Sequence, residues 1–436
     1  MSCRLWLVLA SLALPLAACS SSDRPLGAIC QGICPKPDGP VTLMRNPVDQ
    51  AEAETPPSIS DVMASDQLKD QLRTLMRKKV DSLPAGIPER ALADLPLAED
   101  GRLRLLALSS GGPFGAFGAG FLNGWSEQTD RDRARPEAFD VVTGVSAGAL
   151  LATHAFLGRE GDAVLERQYT TISTADVFRQ RSPFSALFSN ALFDTAPLRR
   201  TLQGLVTPDL LDQVAEATAP DPATGDPGRF LLVLAVDLDS GLPRIIDLGA
   251  IAREQNAADR IGRYTNALMA SSAIPVAFPP VFIDGAMHVD GGARLALFFN
   301  RFMEDQRAAI DGLTIPAPAL DIIVNAEATV EPACTDNTLL GIGRRSVDVV
   351  LNQQTLDGLY RTISEAEQDG IDVRYVTADS SGCARPDDPA DPFQRAFLQC
   401  LFAFGKEVGS SAAPWKTGLQ DFPKLQIESG QACLMG

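Results

Sequence analysis

Histidine is nearly absent. The 436-residue chain has two, His154 and His288. Any Ser-His-Asp triad must therefore use one of them. With so few imidazoles and no Cys-x-x-Cys pair, a zinc site has little to build on, and no metal is expected. Basic residues are also in deficit: 38 Lys and Arg face 55 Asp and Glu, for a net charge of -17. Such a surface repels phosphate backbones, so nucleic acid is not an expected partner. It has no general attraction for anionic lipid either, so membrane contact needs another device. The glycine loop after the first apolar strand reads S-G-G-P-F-G. It lacks Gly-x-Gly-x-x-Gly spacing, and no dinucleotide or other cofactor is expected. The N-terminal apolar run, residues 5–16, is too short to span a bilayer.

That run is informative in another way. Arg4 precedes it, and Leu16-Ala17-Ala18-Cys19 closes it. This is the layout of a bacterial lipoprotein signal. The expectation is a signal peptide over residues 1–18 and a lipid-carrying Cys19. Ser20, rather than an aspartate, favours the outer membrane, with the protein facing the periplasm. Residues 19–64 are proline-rich and read as a tether. Residues 65–100 form a helical lead-in, with Leu68, Leu72 and Leu75 at helical spacing; Arg77, Lys78 and Lys79 read as a solvated face. In an oxidising envelope, Cys30, Cys34, Cys334, Cys383, Cys400 and Cys433 suggest disulfides, without choosing among pairings.

Hydrophobic residues make up 45% of the chain, enough for a sizeable core. From residue 101, apolar strand-like runs (RLRLLALS, FDVVTG, RFLLVLAVDLD, LDIIVNAE, DVRYVTA) alternate with helical stretches. This predicts a three-layer α/β/α sandwich with a largely parallel central sheet. A core over residues 101–300 is followed by a C-terminal extension, 301–436. The extension carries a strong apolar stripe in DPFQRAFLQCLFAFGKEV and is expected to pack on the core, stapled by disulfides.

Ser146 lies between two glycines, in Gly144-Val145-Ser146-Ala147-Gly148. A strand precedes it and a helix follows, as a nucleophile elbow requires. The glycines permit a tight turn, and the helix N-terminus favours developing negative charge. A serine hydroxyl needs a base. His154 is two helical turns away. His288 could complete a triad with Asp237 or Asp239. Asp290, two residues past His288, follows a predicted hairpin turned at Asp284-Gly285 and could take the proton directly. Phe114, Phe117 and Phe121 either line an acyl pocket or belong to the core, the commoner outcome at this spacing.

Four segments in order resemble the patatin-like phospholipases, over roughly residues 103–300. The loop Ser110-Gly111-Gly112-Pro113-Phe114-Gly115 is similar to that family's Gly-Gly-Gly-x-Arg/Lys-Gly loop. Gly144 to Gly148 matches its elbow. Asp290-Gly291-Gly292 matches its Asp-Gly-Gly/Ala motif, and LMASSAIPVAFPPV resembles the segment leading to that aspartate. The resemblance implies a lipid acyl hydrolase with a Ser-Asp dyad and no histidine. Ser146 would be nucleophile and Asp290 base, with amides of Gly111 and Gly112 in the oxyanion hole. The substrate would be a membrane lipid or lipid-like ester. Ser110 and Phe114 depart from the pattern: the loop has lost its first glycine and its basic residue, and with the latter the basis for a strong preference for anionic headgroups. Two alternatives remain: the His288 triad, and an inactive lipid-binding envelope module.

Overall fold

The computed structural model describes residues 66–81 and 101–422, apart from 131–133, 183, 185–188, 256–258, 299–316, 329–334, 336, 380, 387 and 389–390. The signal peptide, Cys19, the tether, and Cys30, Cys34, Cys334 and Cys433 lie outside the described residues.

The fold is a mixed α/β sandwich around a nine-stranded sheet. Its strands are β1 (Arg104–Leu108), β2 (Val141–Val145), β3 (Phe230–Asp237), β4 (Leu242–Asp247), β5 (Val281–Ile283), β6 (Ala286–Asp290), β7 (Ala319–Val324), β8 (Asp372–Thr377) and β9 (Lys416–Thr417). They run in the order β9-β8-β7-β1-β2-β3-β6-β5, with β4 also paired to β3. The central strands β8, β7, β1, β2 and β3 are mutually parallel. Alternation along these strands explains the layers. Leu106 and Leu108 of β1, Val142 of β2, and Leu231 and Val233 of β3 enter one core. Leu105, Ala107, Val141, Val145, Leu232 and Leu234 enter the other. Residues buried on both faces give the continuous apolar runs that mark a covered parallel sheet. The sheet does not stop at residue 300: β7 and β8 extend it beyond β1.

The first face is covered by helices α2 (Gly115–Ser126), α3 (Ala147–Leu157), α4 (Asp162–Thr171), α5 (Arg260–Ser271) and α7 (Arg395–Ser410). Leu75 of α1 (Asp66–Asp81), and Leu359 and Ile363 of α6 (Leu339–Asp369), pack on the second. Helix α1 covers residues 66–81 of the expected 65–100 lead-in, and residues 82–100 lie outside the described residues.

Helices α2 and α7 meet backbone to backbone. A Cβ on Gly120 would lie 2.0 Å from the Phe402 carbonyl oxygen, and one on Gly124 2.0 Å from that of Lys406. Conversely, Gly405 faces the Phe117 carbonyl and Gly409 that of Phe121. Each helix thus has glycines four residues apart aimed at the other. Phe117 and Phe121 are fully buried in this core, and Phe121 stacks edge-on against Trp415 at 4.9 Å. Phe114 stays partly buried at the loop, against Phe397. The stripe residues Phe397, Leu398, Leu401 and Phe402 of α7 are buried here too, and a Cys383–Cys400 disulfide ties the preceding segment to the helix. Since α2 begins in the glycine loop, this contact fixes the loop's exit. Gly120→Leu is expected to destabilise the fold by roughly 3 kcal/mol through overpacking, read as a lower urea midpoint.

Candidate active site

Sheet register brings the candidate residues together. On β3, Leu234 pairs with Val145, the last residue of parallel β2. The next residue, Ala235, pairs with Asp290, the last residue of antiparallel β6. Thus β2 ends one row before Ala235, and β6, running the other way, ends level with Ala235. Ser146 and Asp290 are the two residues that meet at this junction.

Ser146 is held in an unusual conformation, φ 53° and ψ -119°. Such a backbone is strained for a residue other than glycine, and persists only where surroundings enforce it. Two serines from the end of α5 enforce it. The Ser146 N–H donates to Ser271 Oγ (3.0 Å), and the Ser271 hydroxyl donates to the Leu234 carbonyl (2.6 Å). The Ser272 hydroxyl approaches the Ser146 carbonyl at 3.4 Å. The flanking glycines are needed for space. A Cβ on Gly144 would lie 2.6 Å from the Gly148 carbonyl, and one on Gly148 2.3 Å from the Leu108 carbonyl.

Asp290 is 4% exposed. Its Oδ1 accepts from the Gly292 N–H at 2.7 Å, and the Ser146 side chain is near enough to favour its ionised form. Burial raises its pKa to about 7, outweighing the neighbouring Ser146 side chain and Gly292 N–H that lower it. Gly291 allows the turn after β6 to approach β3: a Cβ there would lie 2.5 Å from the Leu234 carbonyl. A Cβ on Gly292 would lie 3.4 Å from the Ser110 Cβ, so the glycine loop borders the aspartate. The hairpin feeding Asp290 turns at Asp284 and Gly285, both with positive φ. That is the two-residue turn that Asp-Gly favours.

The loop itself is tied to β7. Asn325, fully buried, donates its N–H to Ser109 Oγ and its Nδ2 to the Ser109 carbonyl, both at 2.8 Å. The Ser110 N–H donates to the Ala296 carbonyl at 2.7 Å. A Cβ on Gly111 would lie 1.6 Å from the Asn325 carbonyl oxygen, so only glycine fits. Gly112 has open space but φ +53°. Among the described residues, neither the Gly111 nor the Gly112 N–H has an acceptor. Both amides remain available beside the elbow.

The histidines take no part in this arrangement. His288 Nδ1 lies 3.0 Å from the Ala286 carbonyl of its own strand. Asp237, its register partner, spends one carboxylate oxygen on the N–H groups of Asp239 and Ser240, and pairs the other with Arg244. His154 is buried in α3, with its pKa lowered by that burial to about 4. Among the described residues, no group of acidic, histidine and cysteine side chains could hold a metal ion.

Residues 106–302 match the family model described as patatin-like phospholipase. Over that span the chain is similar to the patatin-like phospholipases. No curated protein matches it significantly. Among solved structures, VipD from Legionella pneumophila aligns with 71% of this chain and 67% of its own at 12% identity, with a TM-score of 0.31.

Two groups that the sequence did not single out support the patatin-like site. Ser271 lies within the LMASSAIPVAFPPV segment, yet nothing local marks its hydroxyl as the brace of the elbow. Asn325 lies beyond the patatin-like span altogether, so the loop is anchored by the C-terminal part of the chain. Ser271→Ala removes an acceptor and a donor at once. It is expected to cost about 2 kcal/mol of stability and to lower kcat roughly tenfold, measured by denaturation and ester hydrolysis.

Proposed function

We propose that the protein is a lipid acyl hydrolase, of phospholipase A, lysophospholipase or carboxylesterase type, using a Ser146–Asp290 dyad. The observation that carries this reading is the strained Ser146 brought by sheet register beside a buried Asp290 whose pKa is near 7. A base poised near neutrality can take a serine proton that an ordinary aspartate cannot. In the proposed cycle, Asp290 accepts the proton as Ser146 Oγ attacks the ester carbonyl. The tetrahedral oxyanion is held by the Gly111 and Gly112 amides. Collapse expels the alcohol, which takes the proton from Asp290 and leaves an acyl-serine. Asp290 then deprotonates a water that attacks the acyl carbon. Ser146 leaves with that proton and the carboxylic acid departs.

The test is fluorophosphonate labelling of the protein lacking residues 1–19. Labelling is expected in the parent and absent in Ser146→Ala. Unlabelled, folded parent would favour a lipid-binding module instead. We further propose attachment through lipid on Cys19 to the outer membrane, facing the periplasm. This would confine enzyme and lipid substrate to one surface. Incorporation of an alkyne fatty acid in cells, lost in Cys19→Ser, tests the anchor.

A further inference from the structure

Tyr169 lies on α4, outside every motif discussed above, yet its hydroxyl reaches the site. A Cβ on Gly115 would lie 3.0 Å from the Tyr169 hydroxyl oxygen and 3.2 Å from the Ala147 Cβ. Gly115 is the last residue of the glycine loop, and Ala147 directly follows the nucleophile. The phenol therefore sits where the oxyanion loop and the elbow converge, between the N-termini of α2 and α3.

Tyr169 is 9% exposed, and its hydroxyl has no hydrogen-bond partner among the described residues but is not sealed from solvent. A hydroxyl held in place by its buried ring and left open to solvent is free to donate to an acceptor that binds beside it. Tyr264 shows the ordinary arrangement: its buried hydroxyl pairs with Thr153 Oγ1 at 2.8 Å. Burial also raises the Tyr169 pKa, so the phenol keeps its proton and remains a donor. An acceptor arriving at the junction of loop and elbow can take the place of water on this donor. The ester oxygens of a substrate attacked by Ser146 arrive there.

We propose that the Tyr169 hydroxyl donates a hydrogen bond to the ester group of bound substrate, beside the two loop amides. The inference rests on the hydrolase reading and adds to it a residue that touches the substrate. Its chemistry selects for an oxygen acceptor at the scissile group, whatever the headgroup.

The experiment compares Tyr169→Phe and Tyr264→Phe with the parent, using p-nitrophenyl butyrate hydrolysis, the rate of fluorophosphonate labelling and thermal denaturation. Tyr169→Phe is expected to lower kcat/KM and the labelling rate 10- to 100-fold while Tm stays unchanged or rises. Tyr264→Phe is expected to do the reverse, lowering Tm and sparing kcat/KM. Unchanged kinetics in Tyr169→Phe would overturn the proposal. So would a loss of activity accompanied by a fall in Tm like that of Tyr264→Phe, because the hydroxyl would then be structural. A folded parent that neither labels nor hydrolyses the ester would sink the hydrolase reading, and this proposal with it. The two failures are told apart by the parent alone.

Discussion

Asp290→Asn is expected to lower kcat by about 10³-fold or more and, in the same protein, to raise stability above pH 7. The two effects have one origin. Asp290 is buried and its pKa is raised to about 7, whereas in the unfolded chain it falls to about 3.9. Between these values the folded protein holds a proton that the unfolded chain has released. Stability is therefore lost as pH rises from about 4 to about 7, and the full penalty remains above that. The gap corresponds to roughly 4 kcal/mol, an order-of-magnitude figure. Asparagine keeps the shape and can still accept from the Gly292 N–H, but it carries no charge to bury. Urea midpoints taken at pH 5 and pH 8 check this. The parent should fall between them by more than Asp290→Asn, and the variant should be the more stable at pH 8. In the same window the parent's kcat/KM should rise with pH, with an inflection near 7, because the base works only when ionised. A variant that loses stability equally at both pH values would show that the carboxylate is not under strain, and the account of its basicity would fail.

The sequence made some of this architecture legible and hid the rest, for physical reasons. The runs RLRLLALS and RFLLVLAVDLD are readable because a strand buried on both faces must be apolar at nearly every position. The elbow is readable because a strand, a sharp turn and a helix start leave local marks: Gly144, Ser146 and Gly148 lie within five residues. Asp284-Gly285 is readable because both turn positions need positive φ. Asp290 is harder, since Asp-Gly is a common turn; its significance came from the four segments taken in order. Ser271 and Asn325 were invisible. Ser271 acts on a residue 125 positions away, and Asn325 on one 216 positions away. The contact of α2 with α7 is likewise long-range: its glycines read as helix-weakening residues until the partner helix is known. Local chemistry writes itself into local sequence, whereas support from distant segments does not.

The two loop glycines separate space from conformation, and their alanine variants should differ sharply. In Gly111→Ala, the new methyl would meet the Asn325 carbonyl oxygen at 1.6 Å. That oxygen belongs to the backbone just after β7, which is paired on both sides within the sheet, so it cannot yield. The loop must move instead, and both free amides move with it. Loss of even one oxyanion donor lowers kcat by about 10²–10³-fold, and Gly111→Ala is expected to reach at least that. In Gly112→Ala nothing lies within 4 Å of the new methyl, and the only penalty is a φ of +53°. A single left-handed alanine costs about 1–2 kcal/mol, a stability effect that leaves the amides nearly in place. Its kcat should fall less than tenfold. Ester hydrolysis and fluorophosphonate labelling rates, read beside Tm, distinguish the cases. Should Gly112→Ala prove the more damaging, backbone strain rather than the Asn325 contact would be setting the loop. The C-terminal strand would then lose its role in shaping the oxyanion site. If Gly111→Ala is the inactive one while its Tm stays near the parent's, the catalytic geometry depends on a residue beyond the patatin-like span, and truncation near residue 302 should abolish activity even where the dyad is intact.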